Sequence, residues 1–399
     1  MGNAEFKVAD MKILEVVSYF PPAYAFGGPV KVAYQVSREL VKRKHEVVVY
    51  TSDARDFGSR LRINSDNIID GIRVHYFRNL ALTLVKKFKL FVTPQLVSHA
   101  KEEVEKFDVI HLHEYRTFQN IVIAHYAKKY EVPYVLQAHG SLPRIMAKQR
   151  LKRIYDVLFG YRLLRDASRV IALSQVEAEQ YRSVGVPEEK IEVIPNGIDL
   201  SEYADLPPKG YFKRKFGITA KEKIVLYLGR IHRIKGLDIL AQAFAKIAKE
   251  LGNVRLVIVG PDDGYLGELK ALINTLKIED NVLILGPLYG EDKLEAYVEA
   301  DVYVLPSRYE TFPMGLLEAV ACGTPVILTE NCGVAEYFRD KAGLVVDLNL
   351  NHLREALIEM SLNQKRQDFF RENCKTLIER FNISKTVSKL EEVYEEIVE

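Results

Sequence analysis

Short apolar runs rich in Val and Ile recur along most of this chain, and helix-length segments separate most of them. The first series is KILEVVS (12–18), EVVVYTS (46–52), IRVHYF (72–77), DVIHLH (108–113), YVLQAHG (134–140), RVIALS (169–174) and IEVIPN (191–196). Runs with little polar alternation suit strands buried on both faces, and the long connections suit the crossovers that parallel strands require. After a break at Pro207-Pro208-Lys209-Gly210 a second series begins: IVLYLGR (224–230), VRLVIVG (254–260), NVLILGP (281–287), DVYVLPS (301–307), PVILTE (325–330) and GLVVD (343–347). The pattern predicts an α/β fold of two facing Rossmann-like, doubly wound parallel-sheet domains. Ligands of such sheets lie beyond the carboxyl ends of the strands, so the natural site is a cleft reached from both domains.

The length of 399 residues agrees with two or three folding units, at roughly 100 to 200 residues each. The boundaries read as an N-terminal extension over 1–10, a first domain over 11–200, a second over 201–375 and a C-terminal helix over 376–399. Val387, Leu390, Val393 and Ile397 recur there at helical spacing, with the first domain as a candidate surface to pack on.

Charge narrows the function. The 56 Lys plus Arg nearly balance 54 Asp plus Glu, and a formal charge of +2 provides no field to recruit nucleic acid. Three cysteines are too few for a disulfide or zinc framework. The first ten residues, MGNAEFKVAD, carry charges where a secretory leader needs an apolar stretch, and no run of 18 apolar residues occurs. A cytoplasmic protein is expected. Residues 81–165 depart from this balance, with 15 Lys plus Arg against 7 Asp plus Glu.

The chemistry-bearing residues follow strands. Gly27-Gly28-Pro29 precedes a helix pattern, a loop that exposes N–H groups and the positive helix end to a phosphate. In the second half, Gly229-Arg230-Ile231-His232-Arg233-Ile234-Lys235-Gly236 sets two cations five residues apart between glycines, which suits a diphosphate. Glu310 and Glu318 flank the next helix start. Glu318 lies in an otherwise apolar stretch, and a carboxylate there can accept two hydrogen bonds from a vicinal diol such as ribose. His111 and His113 share one face of a strand, a structural or pocket-lining placement rather than a zinc site.

Together, the Gly-Gly loop, His139-Gly140, Pro195-Asn196-Gly197-Ile198-Asp199, Gly229-Arg230 with Lys235-Gly236, and the two glutamates eight residues apart resemble glycosyltransferase family 4 with its GT-B fold. The resemblance runs from Met11 to the end of the chain. It implies a retaining, metal-independent transfer of a sugar from a nucleotide diphosphate sugar, UDP- or GDP-linked, to a hydroxyl acceptor. It implies an acceptor-side first domain and a donor-binding second domain, and no cofactor besides the donor substrate. Arg230 and Lys235 would hold the diphosphate, Glu318 the ribose, and Glu310 and His139 the donor sugar. The backbone of Phe312, Pro313, Met314 and Gly315 would contact sugar and phosphate, and Gly28 would complete the phosphate site. The family often has Glu-Gly-Phe-Gly-Leu where this chain has Glu310-Thr-Phe-Pro-Met-Gly, so Pro313 removes one backbone donor. No Asp-x-Asp occurs, in keeping with a metal-free site. The alternatives with the same architecture are a nucleotide-sugar epimerase and a nucleotide-sugar binding protein without turnover.

Within the basic region, residues 141–165 hold Arg144, Lys148, Arg150, Lys152, Arg153, Arg162 and Arg165 with apolar residues at helical spacing. Such a helix either packs its apolar face on the sheet or lies on an anionic membrane. The second reading gives a glycan or lipid-linked acceptor and a peripheral place at the inner face of the membrane.

Overall fold

The computed structural model describes residues 10–62, 67–145 and 148–399. The first nine residues of the expected N-terminal extension lie outside the described residues. The chain forms two compact units, one of residues 1–197 and 383–399, the other of residues 198–382.

The first unit is built on an eight-stranded sheet: β1 (Lys12–Val16), β2 (Glu46–Ser52), β3 (Asn67–Ile69), β4 (Ile72–Phe77), β5 (Val109–His113), β6 (Tyr134–Gln137), β7 (Arg169–Ala172) and β8 (Ile191–Val193). The order is β3-β4-β2-β1-β5-β6-β7-β8, and all neighbours are parallel except β3 and β4. Every apolar run of the first series forms a strand. Only β3 lacks such a run. It is a three-residue edge strand returned by Asp70 (φ 50) and Gly71 (φ 82), an Asp-Gly pair of the kind that makes tight hairpins. One face of the sheet buries Leu14, Val16, Ile110, Leu112 and Leu136 against helices that include Gln95–Glu103 and Phe118–Lys129.

The second unit has six parallel strands: β9 (Lys223–Leu228), β10 (Val254–Val259), β11 (Val282–Leu285), β12 (Val302–Leu305), β13 (Val326–Thr329) and β14 (Gly343–Val346), in the order β11-β10-β9-β12-β13-β14. Their registers are continuous, for example Leu226 against Val257 on one side and Tyr303 on the other. The helix Leu237–Leu251 covers the sheet with Leu240, Ala241, Phe244 and Ile247, all fully buried.

The units divide at Gly197 and Asn382, against the sequence boundaries of 200 and 375. Phe381 explains the later boundary. Its ring packs on Phe312, Tyr337 and Phe338 with centroids 5.8, 5.5 and 5.7 Å away, which keeps the chain in the second unit up to that point. The last helix, Ile383–Val398, then belongs to the first unit. It buries Ile383, Val387, Leu390, Val393 and Tyr394. Its Glu391 accepts from Arg43 and lies 3.0 Å from His45 Nε2. Leu390, 1% exposed, anchors this helix. Leu390→Ala is expected to destabilise the first unit by about 2–5 kcal/mol, read from chemical denaturation monitored by circular dichroism.

Candidate active site

In the second unit β9 has β10 on one side and β12 on the other, so the chain order reverses there. Loops leaving the carboxyl ends of two such strands part to opposite faces and leave room for a ligand. The loop after β9 is clamped on both flanks. Ile231 N–H donates to Pro261 O at 2.8 Å, and a Cβ on Gly260 would lie 1.9 Å from Gly229 O, so the two backbones touch. On the other flank Gly236 sits at φ 68, and a Cβ there would lie 1.9 Å from Pro306 O. Between them Arg233–Lys235 form a single 3-10 turn, capped by His232 Nδ1, which accepts from Ile234 N–H at 3.1 Å.

This loop presents the two cations singled out in the sequence. Arg230 Nη1 donates to Asp263 Oδ2, and its carbonyl accepts from the Tyr227 hydroxyl at 2.8 Å. Lys235 Nζ donates to Glu310 Oε2, with both side chains mostly covered. Glu310 is itself fixed by backbone pairing. Its N–H donates to Asn331 O at 3.1 Å, and its carbonyl accepts from Gly333 N–H at 2.8 Å. Asp263 carried no motif of its own, although it lies just past a strand in Gly260-Pro261-Asp262-Asp263.

The helix after β12 spans Met314–Ala321, with Pro313 as its extended N-cap. Phe312 and Met314 are each only 7% exposed, so their side chains belong to the core. Gly315 also has a packing reason, since a Cβ would lie 2.9 Å from the Tyr303 hydroxyl. Glu318 is buried at 5% exposure, and its carboxylate oxygens are both engaged. Lys293 Nζ donates to Oε1 at 2.9 Å and the Tyr297 hydroxyl to Oε2 at 3.1 Å. Burial and the adjacent carboxylate raise the Tyr297 pKa well above its usual value, so this donor keeps its proton. Lys293 and Tyr297, on the helix Gly290–Glu299, gave no signal in sequence.

In the first unit the order reverses between β1 and β5. After β1, Gly27 at φ 91 caps the helix Gly28–Lys42, and a Cβ there would meet nothing within 4 Å. His139 follows β6 in the left-handed region, φ 50, with Gly140 at φ 76. Glu177 holds this loop. Its Oε1 accepts from Gly140 N–H at 2.6 Å and its Oε2 from Leu173 N–H at 2.8 Å. Burial pushes the Glu177 carboxyl up to about 7, against the pull of those two N–H groups.

Behind His139 runs a buried polar chain. His139 Nε2 lies 2.8 Å from His113 Nδ1, and His113 Nε2 lies 2.5 Å from Glu15 Oε2. The His113 and His139 rings are within 10° of parallel, and the His111 ring stacks on His113 at 4.2 Å. His111 Nδ1 meets the Tyr394 hydroxyl at 2.6 Å. Glu15, His111 and His113 bring polar atoms within 4.8 Å of one another, and their shortest link is a direct carboxylate–imidazole hydrogen bond. Desolvation lowers His111 and His113 to about 3 and lowers His139 as well, so all three rings stay neutral. Glu15 was missed in sequence. Its only signal is the one that drew attention to Glu318, a carboxylate in an apolar run.

The basic helix expected over 141–165 begins later. Residues 141–145 are not helical, because Arg116 holds the carbonyls of Ser141 and Leu142. Residues 146 and 147 lie outside the described residues. From there Gln149–Tyr155, a π turn Asp156–Gly160 and Tyr161–Asp166 follow in succession. Leu163 is buried, but Leu151, Ile154, Val157 and Leu158 are 57%, 55%, 64% and 61% exposed. Among the described residues no helix is long and apolar enough to cross a membrane. Cys322, Cys332 and Cys374 are buried and form no disulfide among the described residues, and burial pushes the Cys332 and Cys374 thiols up to about 12.

Two family models match the chain in tandem: glycosyltransferase family 4 over residues 26–202, and glycosyl transferases group 1 over residues 209–377. An uncharacterized glycosyltransferase of Methanocaldococcus jannaschii is 30% identical over 340 residues, covering 82% of this chain and 83% of that protein. The chain belongs to glycosyltransferase family 4. An Escherichia coli relative of this family 4 glycosyltransferase, UDP-Gal:alpha-D-GlcNAc-diphosphoundecaprenol alpha-1,3-galactosyltransferase, is 28% identical over 84% of this chain and 86% of its own. The GT-B fold is shared with Anabaena HepE, solved with UDP and glucose (TM-score 0.76, 21% identity, 96% of this chain and 99% of that one). It is shared too with WaaG, a glycosyltransferase of lipopolysaccharide biosynthesis (TM-score 0.71, 18% identity, 96% and 99%).

The Glu177 clamp makes a separate prediction. In Glu177→Gln only one oxygen remains to accept from two backbone N–H groups. The variant is expected to lose about 1–3 kcal/mol of stability in denaturant titration, and the His139 loop to show faster amide exchange.

Proposed function

We propose that this glycosyltransferase moves a sugar from a UDP- or GDP-sugar to a hydroxyl of a lipid-linked or envelope glycan, with retention and without a required metal. The observation that carries the reading is the pairing of Lys235 with Glu310 across the loops after β9 and β12, with Arg230 on the first of these loops and the start of the helix Met314–Ala321 following the second. Cations and helix N–H groups gathered at the point where the strand order reverses suit a diphosphate leaving group. In ligand-free protein Asp263 and Glu310 keep Arg230 and Lys235 oriented. A diphosphate competes for the same ammonium and guanidinium, and Glu310 is then left beside the sugar. Glu318, joined by Lys293, offers carboxylate oxygens to the ribose hydroxyls. Glu310 and His139 serve the donor sugar, and Gly27 and Gly28 a phosphate.

In the transfer the anomeric carbon–phosphate oxygen bond breaks as the acceptor oxygen bonds to the same face of that carbon. The acceptor proton passes to the departing phosphate. Arg230 and Lys235 stabilise the charge building on that phosphate, the part a divalent cation takes in other phosphoryl chemistry. The Escherichia coli relative, named for a UDP-galactose donor and a diphosphoundecaprenol acceptor, supports a UDP-sugar and a lipid-linked acceptor.

Arg230→Ala and Lys235→Ala are each expected to lower kcat by about 10²–10³ with unchanged circular dichroism, whereas EDTA leaves wild-type turnover unaltered. Wild-type turnover in both variants, or loss of activity on chelation, would remove the clamp.

The exposed face Leu151, Ile154, Val157 and Leu158, flanked by the exposed Arg150, Arg153 and Arg162, supports the docking of this family 4 enzyme on an anionic membrane. Flotation with phosphatidylglycerol liposomes at low salt should carry the protein upward, and Leu158→Glu should reduce this severalfold. Equal behaviour with neutral liposomes would overturn the docking.

A further inference from the structure

Glu15 lies in the middle of β1, fully buried, 2.5 Å from His113 Nε2. His113 in turn lies 2.8 Å from His139 Nε2 through its other nitrogen. Three groups are thus joined in series, and the last of them is the histidine that the proposed function places against the donor sugar. We infer that Glu15 is a positioning residue that sets, through His113, whether His139 presents a hydrogen-bond donor or an acceptor at Nδ1.

A neutral imidazole carries one proton on one of its two nitrogens, so each ring passes on the polarity it receives. With Glu15 ionised, His113 Nε2–H donates to the carboxylate, and His113 Nδ1 must accept. His139 Nε2–H then donates to it, leaving a lone pair on His139 Nδ1. With Glu15 protonated every arrow reverses. Glu15 O–H donates to His113 Nε2, His113 Nδ1–H donates to His139 Nε2, and His139 Nδ1 carries the proton. One proton gained at Glu15 therefore changes the far nitrogen from acceptor to donor with no ring becoming cationic. Above the transition Nδ1 accepts from a sugar hydroxyl; below it Nδ1 donates to a hydroxyl or phosphate oxygen.

The surroundings of Glu15 allow both states near neutral pH. Desolvation raises its carboxyl to about 7, opposed by His111. His111 Nδ1 stands 3.8 Å from Glu15 Oε1, beside the Tyr394 hydroxyl of the last helix. Burial and the neighbouring Glu15 and Glu391 hold the Tyr394 proton in place. Gln137 of β6 faces His111, and the cross-strand neighbour of Glu15 on β2 is Val49, which carries no charge. Glu391, on the same helix as Tyr394, is engaged by Arg43 and His45 from the end of the helix Gly28–Lys42 and the turn after it. Among the described residues no Lys or Arg acts on Glu15, which is why one proton decides its state.

The importance of this tautomer for transfer rests on the placement of His139 proposed above, but the test needs no turnover. In ligand-free full-length protein with labelled histidine, the 15N resonance of His139 Nδ1 should move from N–H type to lone-pair type as pH rises through about 7. Nε2 should move the opposite way, and the 13C carboxyl resonance of Glu15 should share the midpoint. In Glu15→Gln, whose amide does not titrate, the exchange of proton between the two nitrogens should be lost between pH 5.5 and 8.5, and the pH dependence of donor KM should flatten. A His139 tautomer that does not change in wild type, changes at a midpoint different from that of Glu15, or still switches in Glu15→Gln overturns the inference. Should the variant fold poorly, the two wild-type midpoints decide alone. Absence of glycosyl transfer would remove the proposed function and leave the tautomer result standing.

Discussion

The parallel arrangement of strands is the constraint on which the other features depend. Parallel neighbours need a crossover for each connection, so the loops leaving the carboxyl ends of the strands collect at one edge of each sheet. At two places the order reverses, between β1 and β5 in the first unit and between β9 and β12 in the second. The residues with chemistry lie there or one strand away. Arg230 and Lys235 follow β9, Glu310 follows β12, Gly27 follows β1, His113 ends β5 and His139 follows β6. The apolar content of the strands is what drives this assembly, and the polar sites are consequences of where the strands end.

Buried carboxylates then act as fixed points within an apolar frame. Each would be costly alone, since an ionised group loses its hydration on burial. The structure supplies each with a different remedy. Glu318 receives an ammonium and a phenol, Glu177 two backbone N–H groups, and Glu15 an imidazole. Where the partner is a cation, as Lys293 is for Glu318, its opposite charge offsets the cost of burial and the carboxylate serves as an anchor. Where the partners are neutral, burial lifts the carboxyl toward 7, and the group becomes sensitive to the ordinary range of pH.

The sheets and their sequence boundaries were legible because buried parallel strands leave continuous Val- and Ile-rich runs, and every such run formed a strand. β3 was not, because a three-residue edge strand has no run to show; its Asp70-Gly71 turn was the available signal. The site divides in the same way. Arg230, Lys235, Glu310 and Glu318 announced themselves by type and spacing on loops or in apolar surroundings. Their partners did not, because a partner is chosen by tertiary proximity: Asp263 is 33 residues from Arg230, Lys293 is 25 from Glu318, and Glu15 is 98 from His113. Tyr394 reaches His111 across 283 residues, a contact no local pattern encodes. The helix near residue 150 was read in kind but not in extent, since the Arg116 grip on the Ser141 and Leu142 carbonyls that shortens it is also tertiary.

If the cations on the loop after β9 bind a diphosphate, a nucleoside and its diphosphate must differ in affinity. The most direct test is calorimetric titration of the ligand-free protein with a nucleoside diphosphate and with the matching nucleoside, at low and high salt. The diphosphate is expected to bind about 10- to 100-fold more tightly, as charge-assisted hydrogen bonds of about 1.5–3 kcal/mol require, and salt or Arg230→Ala to narrow the gap. Equal affinity for nucleoside and diphosphate, unmoved by salt or by loss of Arg230, would contradict it.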